Sequence, residues 1–277
     1  MERNPENLEN LENPEKINKR FRYFLLVKIK ENSIMENLIV TILAAGEGKR
    51  MKSNLPKILH TIKNRPMLVR VIDTARLLNP VKLIVVVGKH KEMIQTTLSK
   101  YILLNDIIFV EQTEPLGTGD AIKSCLPEYT EDGPVLILNG DMPLITIDIL
   151  KKVKNLVCDA SIVTAKFENP GGYGRVFTTK NGMVLKIIEE KDCTDIEKNN
   201  NIINTGIYCI HSIFLKEFIP KINTENAQKE YYLTDVINLM NRRFIPVQSI
   251  LLDENENIFV SGVNTPEELT NLVNYAS

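Results

Sequence analysis

Short apolar runs alternate with helix-period stretches along the first half of the chain. Leu38–Leu43, Lys82–Gly88 (KLIVVVG), Ile107–Val110 and Pro134–Leu138 are compact and rich in β-branched residues, as buried parallel strands are. Between them, Leu68, Val71, Ile72, Ala75 and Leu78 recur at helical spacing behind Pro66, and a polar helical stretch covers His90 to Leu104. Further helices are predicted to begin near Gly119 and near Thr146. Such alternation predicts an α/β fold with a mostly parallel central sheet and helices on both faces. The second half is less regular. Ser161–Phe167, Arg175–Thr178, Val184–Glu189 and Asn204–Ile210 read as strands of a mixed sheet, with helices over Tyr231–Arg243 and Pro266–Tyr275.

Composition changes this picture mainly at the N-terminus. Residues 1–37 are dominated by Asn, Glu, Pro and Lys, including the near-repeat NPENLENLENPEK, and carry too little apolar surface to offset their ordering entropy. They read as a flexible, low-complexity extension that a start at Met35 would largely remove, leaving 38–277 as one continuous domain. The apolar patch Phe21–Val27 is too short to span a bilayer, and its acidic leader is wrong for a signal peptide. A formal net charge of −1 argues against nucleic-acid binding by bulk electrostatics. Cys125, Cys158, Cys193 and Cys209 are scattered without a C-x-x-C pair, as reduced thiols of a cytoplasmic protein would be.

The chemistry concentrates where the predicted strands end, the edge at which open α/β sheets bind ligands. After the first strand the chain enters Ala44, Ala45, Gly46 and Gly48, then reaches the cations Lys49, Arg50 and Lys57. A glycine-rich turn lets backbone N–H groups approach a ligand closely and form an anion-binding concavity, so a phosphate-rich ligand is expected. It is not a Walker loop, because Arg50 stands where Ser or Thr would hold magnesium. Nor is it a dinucleotide fingerprint, because Met51 occupies the place of the third glycine. Asp141 follows the strand VLILNGD and is a hard oxygen ligand suited to Mg2+. Gln112 can both donate and accept, which suits reading a pyrimidine edge, and Gly117 and Thr118 lie within a few residues of it.

The series LAAGEGKRM, LPKILH, EQTEPLGTGDA, NGDMPL, GGYGRV, IIEEKD, INTGIY, AQKEYYLTD and GVNTPEEL occurs in one order between Leu38 and about Tyr275. It closely resembles the uridyltransferase domain of the bacterial N-acetylglucosamine-1-phosphate uridyltransferases, within the sugar-nucleotide pyrophosphorylases. The resemblance implies a Rossmann-like nucleotidyltransferase fold. It also implies a Mg2+-dependent reaction of UTP with N-acetylglucosamine 1-phosphate, giving UDP-N-acetylglucosamine and pyrophosphate. By that resemblance Ala44, Ala45, Gly46 and Gly48 would wrap the nucleotide, with Arg50 and Lys57 as the catalytic cations. Gln112, Gly117 and Thr118 would read uracil, and Asp141 and Asn264 would hold the metal. Gly174, Glu189 and Asn204 would bind the amino sugar, with Tyr231 and Tyr232 closing over it.

Four departures accompany the match. Lys49 stands where the family usually has Thr, Asp120 where it commonly has His and Ser261 where it has Glu, and no hexapeptide repeats follow the domain, so no acetyltransferase β-helix is expected. Two alternatives stay open: a pyrophosphorylase for another sugar 1-phosphate or nucleotide, and a non-catalytic UDP-sugar sensor.

Overall fold

A computed structural model describes residues 37–154 and 159–276. The N-terminal extension and Cys158 therefore lie outside the described residues, apart from Asn37. Eleven strands occur among them: β1 Ile39–Leu43, β2 Thr61–Ile62, β3 Arg65–Pro66, β4 Lys82–Val87, β5 Ile107–Glu111 and β6 Pro134–Asn139 in the first half. The second half holds β7 Ala160–Lys166, β8 Arg175–Thr178, β9 Val184–Ile188, β10 Ile202–His211 and β11 Val247–Leu251. The helices are α1 Met67–Arg76, α2 Lys91–Leu98, α3 Thr118–Cys125, α4 Ile147–Lys154, α5 Asp195–Lys198, α6 Ser212–Phe218, α7 Thr234–Arg242 and α8 Pro266–Val273.

Nine strands form one sheet along the path β11-β7-β10-β6-β1-β4-β5, with β8 and β9 branching from β10. β1 pairs in parallel with both β4 and β6, and β4 pairs in parallel with β5. β10 runs antiparallel to its neighbours β6 and β7, while β11 is parallel to β7. The mixed, mostly parallel sheet agrees with the sequence expectation.

Period-two alternation divides the core between the two faces. Val40 and Ile42 of β1, with Leu83, Val85 and Val87 of β4, pack under Leu68, Val71 and Ile72 of α1 and Ile149 and Leu150 of α4. Ile39, Ile84 and Val86 point the other way, toward Ala121 and Ile122 of α3, Phe214 and Leu215 of α6, and Val236 and Ile237 of α7. Between these apolar positions on β1, fully buried Thr41 shares a hydrogen bond of 3.0 Å with the Tyr129 hydroxyl, which satisfies both polar groups.

Several elements differ from the sequence reading. The helix expected to run to Leu104 stops at Leu98, where Tyr101 N and Ile102 N both turn back to the Leu98 carbonyl at 2.9 and 3.0 Å. Only Ile94 and Leu98 of α2 are buried, so its apolar stripe ends there. The helix expected from Tyr231 begins at Thr234 because the Tyr231 carbonyl, which Asp235 N would reach in a helix starting there, accepts from Gly119 N instead, and Asp235 N turns to the Tyr232 carbonyl. The C-terminal helix ends at Val273, two residues short of the expected Tyr275. The hairpin β2–β3 and strand β11 carry no strong apolar alternation and were not expected. No helix among the described residues is long and apolar enough to cross a membrane.

Candidate active site

The carboxyl ends of the parallel strands build the site. Hydrogen bonding continues one step past them: Ala44 N reaches the Val86 carbonyl at 2.9 Å, Gln112 N the Val87 carbonyl at 2.8 Å, and Gly140 N the Leu43 carbonyl at 2.9 Å. Three loops thereby leave the same edge of the sheet, those after β6 and β1 as neighbours and that after β5 one strand further along, beyond β4. In the first, the N–H groups of Ala45, Gly46 and Gly48 make no hydrogen bond to a described residue, leaving them for an anion. Gly48 adopts φ +62, and a Cβ there would lie 2.5 Å from Lys57 Cβ, so the turn closes directly over the lysine.

Lys57 sits just after Pro56 at the start of a short 3-10 helix. Its ammonium donates to Asp141 Oδ2 and, at 3.0 Å, to Asn264 Oδ1. Asp141 comes from the loop after β6, and Asn264 is placed from the far end of the chain. Glu268 Oε2 accepts from Thr265 N at 3.2 Å, and Val263 N donates to the Asp141 carbonyl at 3.0 Å. A carboxylate and an amide oxygen thus converge on a single cation, a pair of hard donors of the kind a divalent metal ion can share with a ligand's own oxygens. Arg50 is exposed and makes no hydrogen bond or ion pair to a described residue, so its guanidinium is available to a ligand.

Two cavities meet at this point. One, of about 480 Å³, is lined by Ala44, Ala45, Gly46, Gly48, Lys57, Gln112 and Gly117. The other, of about 400 Å³, is lined by Tyr173, Gly174, Glu189, Asn204, Gly206 and Tyr208. Arg50, Thr118, Asn139, Asp141 and Asn264 line both. On the second side a bulge between Asn204 and Tyr208 interrupts the β10–β7 ladder and re-aims that strand toward the cavity. Asn204 is fixed through its backbone N to the Gly174 carbonyl at 2.8 Å, and its Nδ2 donates to the Tyr208 hydroxyl at 2.6 Å. Glu189 lies against Gly174 and accepts from Thr234 Oγ1 at 2.9 Å. Burial pushes the Glu189 carboxyl above the ordinary glutamate range, against the opposing Thr234 hydrogen bond and with help from nearby Asp192, Asp235 and Glu230.

The MobA-like NTP transferase domain model matches residues 40–194. The chain belongs to the MobA-like NTP transferase family. It is 41% identical over 247 residues to a protein of Acanthamoeba polyphaga mimivirus named "Probable UDP-N-acetylglucosamine pyrophosphorylase", covering 86% of this chain and 96% of that one. It is 42% identical over 239 residues to the "Bifunctional protein GlmU" of Gloeothece citriformis, covering 83% of this chain but 50% of that protein. The chain thus spans about half the length of the bifunctional bacterial relatives it matches. A solved UDP-glucose pyrophosphorylase complexed with UDP-glucose shares the fold, with a TM-score of 0.68 at 15% identity over 86% of this chain and 98% of that one.

Among the expected site residues of this NTP transferase, Tyr231 and Tyr232 are the two whose side chains do not line the paired cavities. Tyr231 contributes backbone instead. Its carbonyl accepts from Gly119 N at 2.7 Å, and its ring lies 5.5 Å from Lys123 Nζ. Tyr232 lines instead a groove of about 760 Å³ between β9 and α7, which shares Glu189 with the second cavity. Sequence reasoning missed the supporting residues. Arg175, only 2% exposed, pairs with Glu190 Oε2 at 2.7 Å and also donates to the Tyr173 carbonyl. The pair ties the neighbour of Gly174 to the neighbour of Glu189. Its only sequence signal was that both residues fall inside matched motifs.

Proposed function

We propose that the chain transfers UMP from UTP to N-acetylglucosamine 1-phosphate, giving UDP-N-acetylglucosamine and pyrophosphate. The observation that carries this reading is the junction of two cavities at Arg50, Asp141 and Asn264, beside Lys57. A triphosphate on the loop side and a sugar phosphate on the Glu189 side would meet there. The name of the mimivirus relative supports the choice of uridine and of the acetylated amino sugar.

The chemistry follows from charge. A sugar phosphate oxygen, already ionised at neutral pH, attacks the α-phosphorus in line; the bond to the bridging oxygen breaks and pyrophosphate departs with its electron pair. No general base is needed. Two polyanions must instead be brought together, so catalysis is positioning and charge neutralisation. The free N–H groups of Ala45, Gly46 and Gly48 would cradle the triphosphate, with Arg50 and Lys57 countering its charge. Gln112, Gly117 and Thr118 would face the base, and Gly174, Glu189 and Asn204 would hold the sugar. Asp141 and Asn264 would hold Mg2+, which when bound supplies further positive charge against the phosphate oxygens.

Incubation with UTP, Mg2+ and N-acetylglucosamine 1-phosphate should release pyrophosphate, and EDTA should stop it. Release only with glucose 1-phosphate or glucosamine 1-phosphate would move the sugar specificity. Tight UDP-sugar binding without release from any sugar phosphate would overturn the catalytic reading in favour of a sensor.

A further inference from the structure

We propose that Asp120 sets the base preference of the site by locking the orientation of the Gln112 carboxamide. The proposal rests on the reading that Gln112 faces the nucleotide base. Gln112 stands one residue beyond β5, is 6% exposed, and lines the loop-side cavity. Its Nε2 donates to the Gly117 carbonyl at 3.0 Å and to Asp120 Oδ2 at 2.9 Å. Both N–H bonds are therefore spent, and both partners are acceptors with no proton to return. A flipped amide would set Oε1 against a carbonyl and a carboxylate at once, losing two hydrogen bonds, one of them charge-assisted.

Oε1 is consequently the reading atom. It has no hydrogen-bond partner among the described residues, and it is not among the buried polar atoms left unsatisfied, so it opens onto the cavity. An acceptor fixed there pairs with a pyrimidine that carries a proton on N3, as uracil and thymine do. Cytosine, whose N3 is itself an acceptor, meets it lone pair to lone pair. The Gly117 carbonyl is backbone and holds one N–H in any variant. Asp120, in the first turn of α3, is the half of the lock that the side-chain sequence controls.

Asp120 touches neither substrate in this arrangement; it is a positioning residue, and its signature is selectivity rather than rate. In Asp120→Ala one N–H of Gln112 loses its partner and the flip becomes cheaper. The ratio of kcat/KM for UTP over CTP should then fall about tenfold, the equivalent of one charge-assisted hydrogen bond. The change should sit in KM for the nucleotide, with kcat for saturating UTP within about threefold of wild type. Asp120→Asn, which can still accept from Nε2 but can also donate to a flipped amide, should fall between the two. Titration calorimetry of UDP against CDP on the same three proteins reads the preference without turnover. A preference that drops in Asp120→Ala supports the lock even if the wild-type protein releases no pyrophosphate, in which case only the catalytic reading fails. A wild-type protein that turns over UTP, with a UTP-to-CTP ratio unchanged within twofold in both variants and unchanged melting curves, overturns the lock and leaves the catalytic reading intact.

Discussion

Lys57, Asp141 and Asn264 carry the sharpest expectations at the scale of single residues. Each is held by groups far away in sequence, so none is free to substitute for a lost partner. Lys57→Ala and Asp141→Ala should each reduce turnover at least about a hundredfold, the usual cost of losing one preorganised electrostatic group, as a continuous pyrophosphate assay would register. Glu189 makes a pH prediction. Its folded-state pKa is raised by burial, so it takes up a proton at a higher pH than an exposed glutamate would. Below that raised value the proposed sugar side loses a carboxylate acceptor, and KM for the sugar phosphate should climb as pH falls. Glu189→Gln should lack that acid limb while leaving KM for UTP unchanged. The linkage has a second face. Stability from a raised carboxyl is fully present below its unfolded pKa and is lost as pH rises through the folded value. At neutral pH, therefore, Glu189→Gln should melt higher than wild type while binding sugar less well.

Elements were legible wherever a local pattern decided them. The apolar runs before Ala44, Gly88 and Asp141 fixed three strands and the edge at which the chemistry would sit, because a parallel strand buried on both faces has little freedom in composition. What could not be read were pairings set by tertiary contact. Nothing near Gln112 announces that its amide faces Asp120, and Arg175 and Glu190 meet only because β8 pairs with β9. The start of α7 was misplaced for the same reason: its first apolar residues are claimed by the Gly117–Gly119 turn rather than by the helix. That turn is tightly specified. Gly117 has φ +108, and a Cβ on it would lie 2.6 Å from the Tyr231 carbonyl. Gly48 is comparably constrained on the opposite, loop side of the site. Gly48→Ala should cost about 1–3 kcal/mol for the left-handed backbone alone. It should cost more in turnover than in melting temperature, since the new methyl group displaces Lys57. Paired thermal-melt and kinetic measurements would separate the two losses.

Across the whole molecule, one strand joins what would otherwise be two sheets. β5, β4, β1 and β6 form a parallel block; β7 and β11 form another; β10 alone lies between them, antiparallel to both. It also carries Asn204 and supports Gly174, so the same strand that closes the sheet builds the Glu189 side of the site, where the sugar is proposed to bind. During synthesis, β10 emerges after both of the strands it must separate. Until about residue 211 leaves the ribosome, β6 and β7 each present an unpaired edge, the kind of surface that recruits the wrong neighbour. A fragment ending at residue 200 should consequently form large species in size-exclusion chromatography, while the full chain elutes as a discrete species of defined size. A late insertion of this kind leaves the nascent chain most vulnerable in the interval between the emergence of β7 and that of β10.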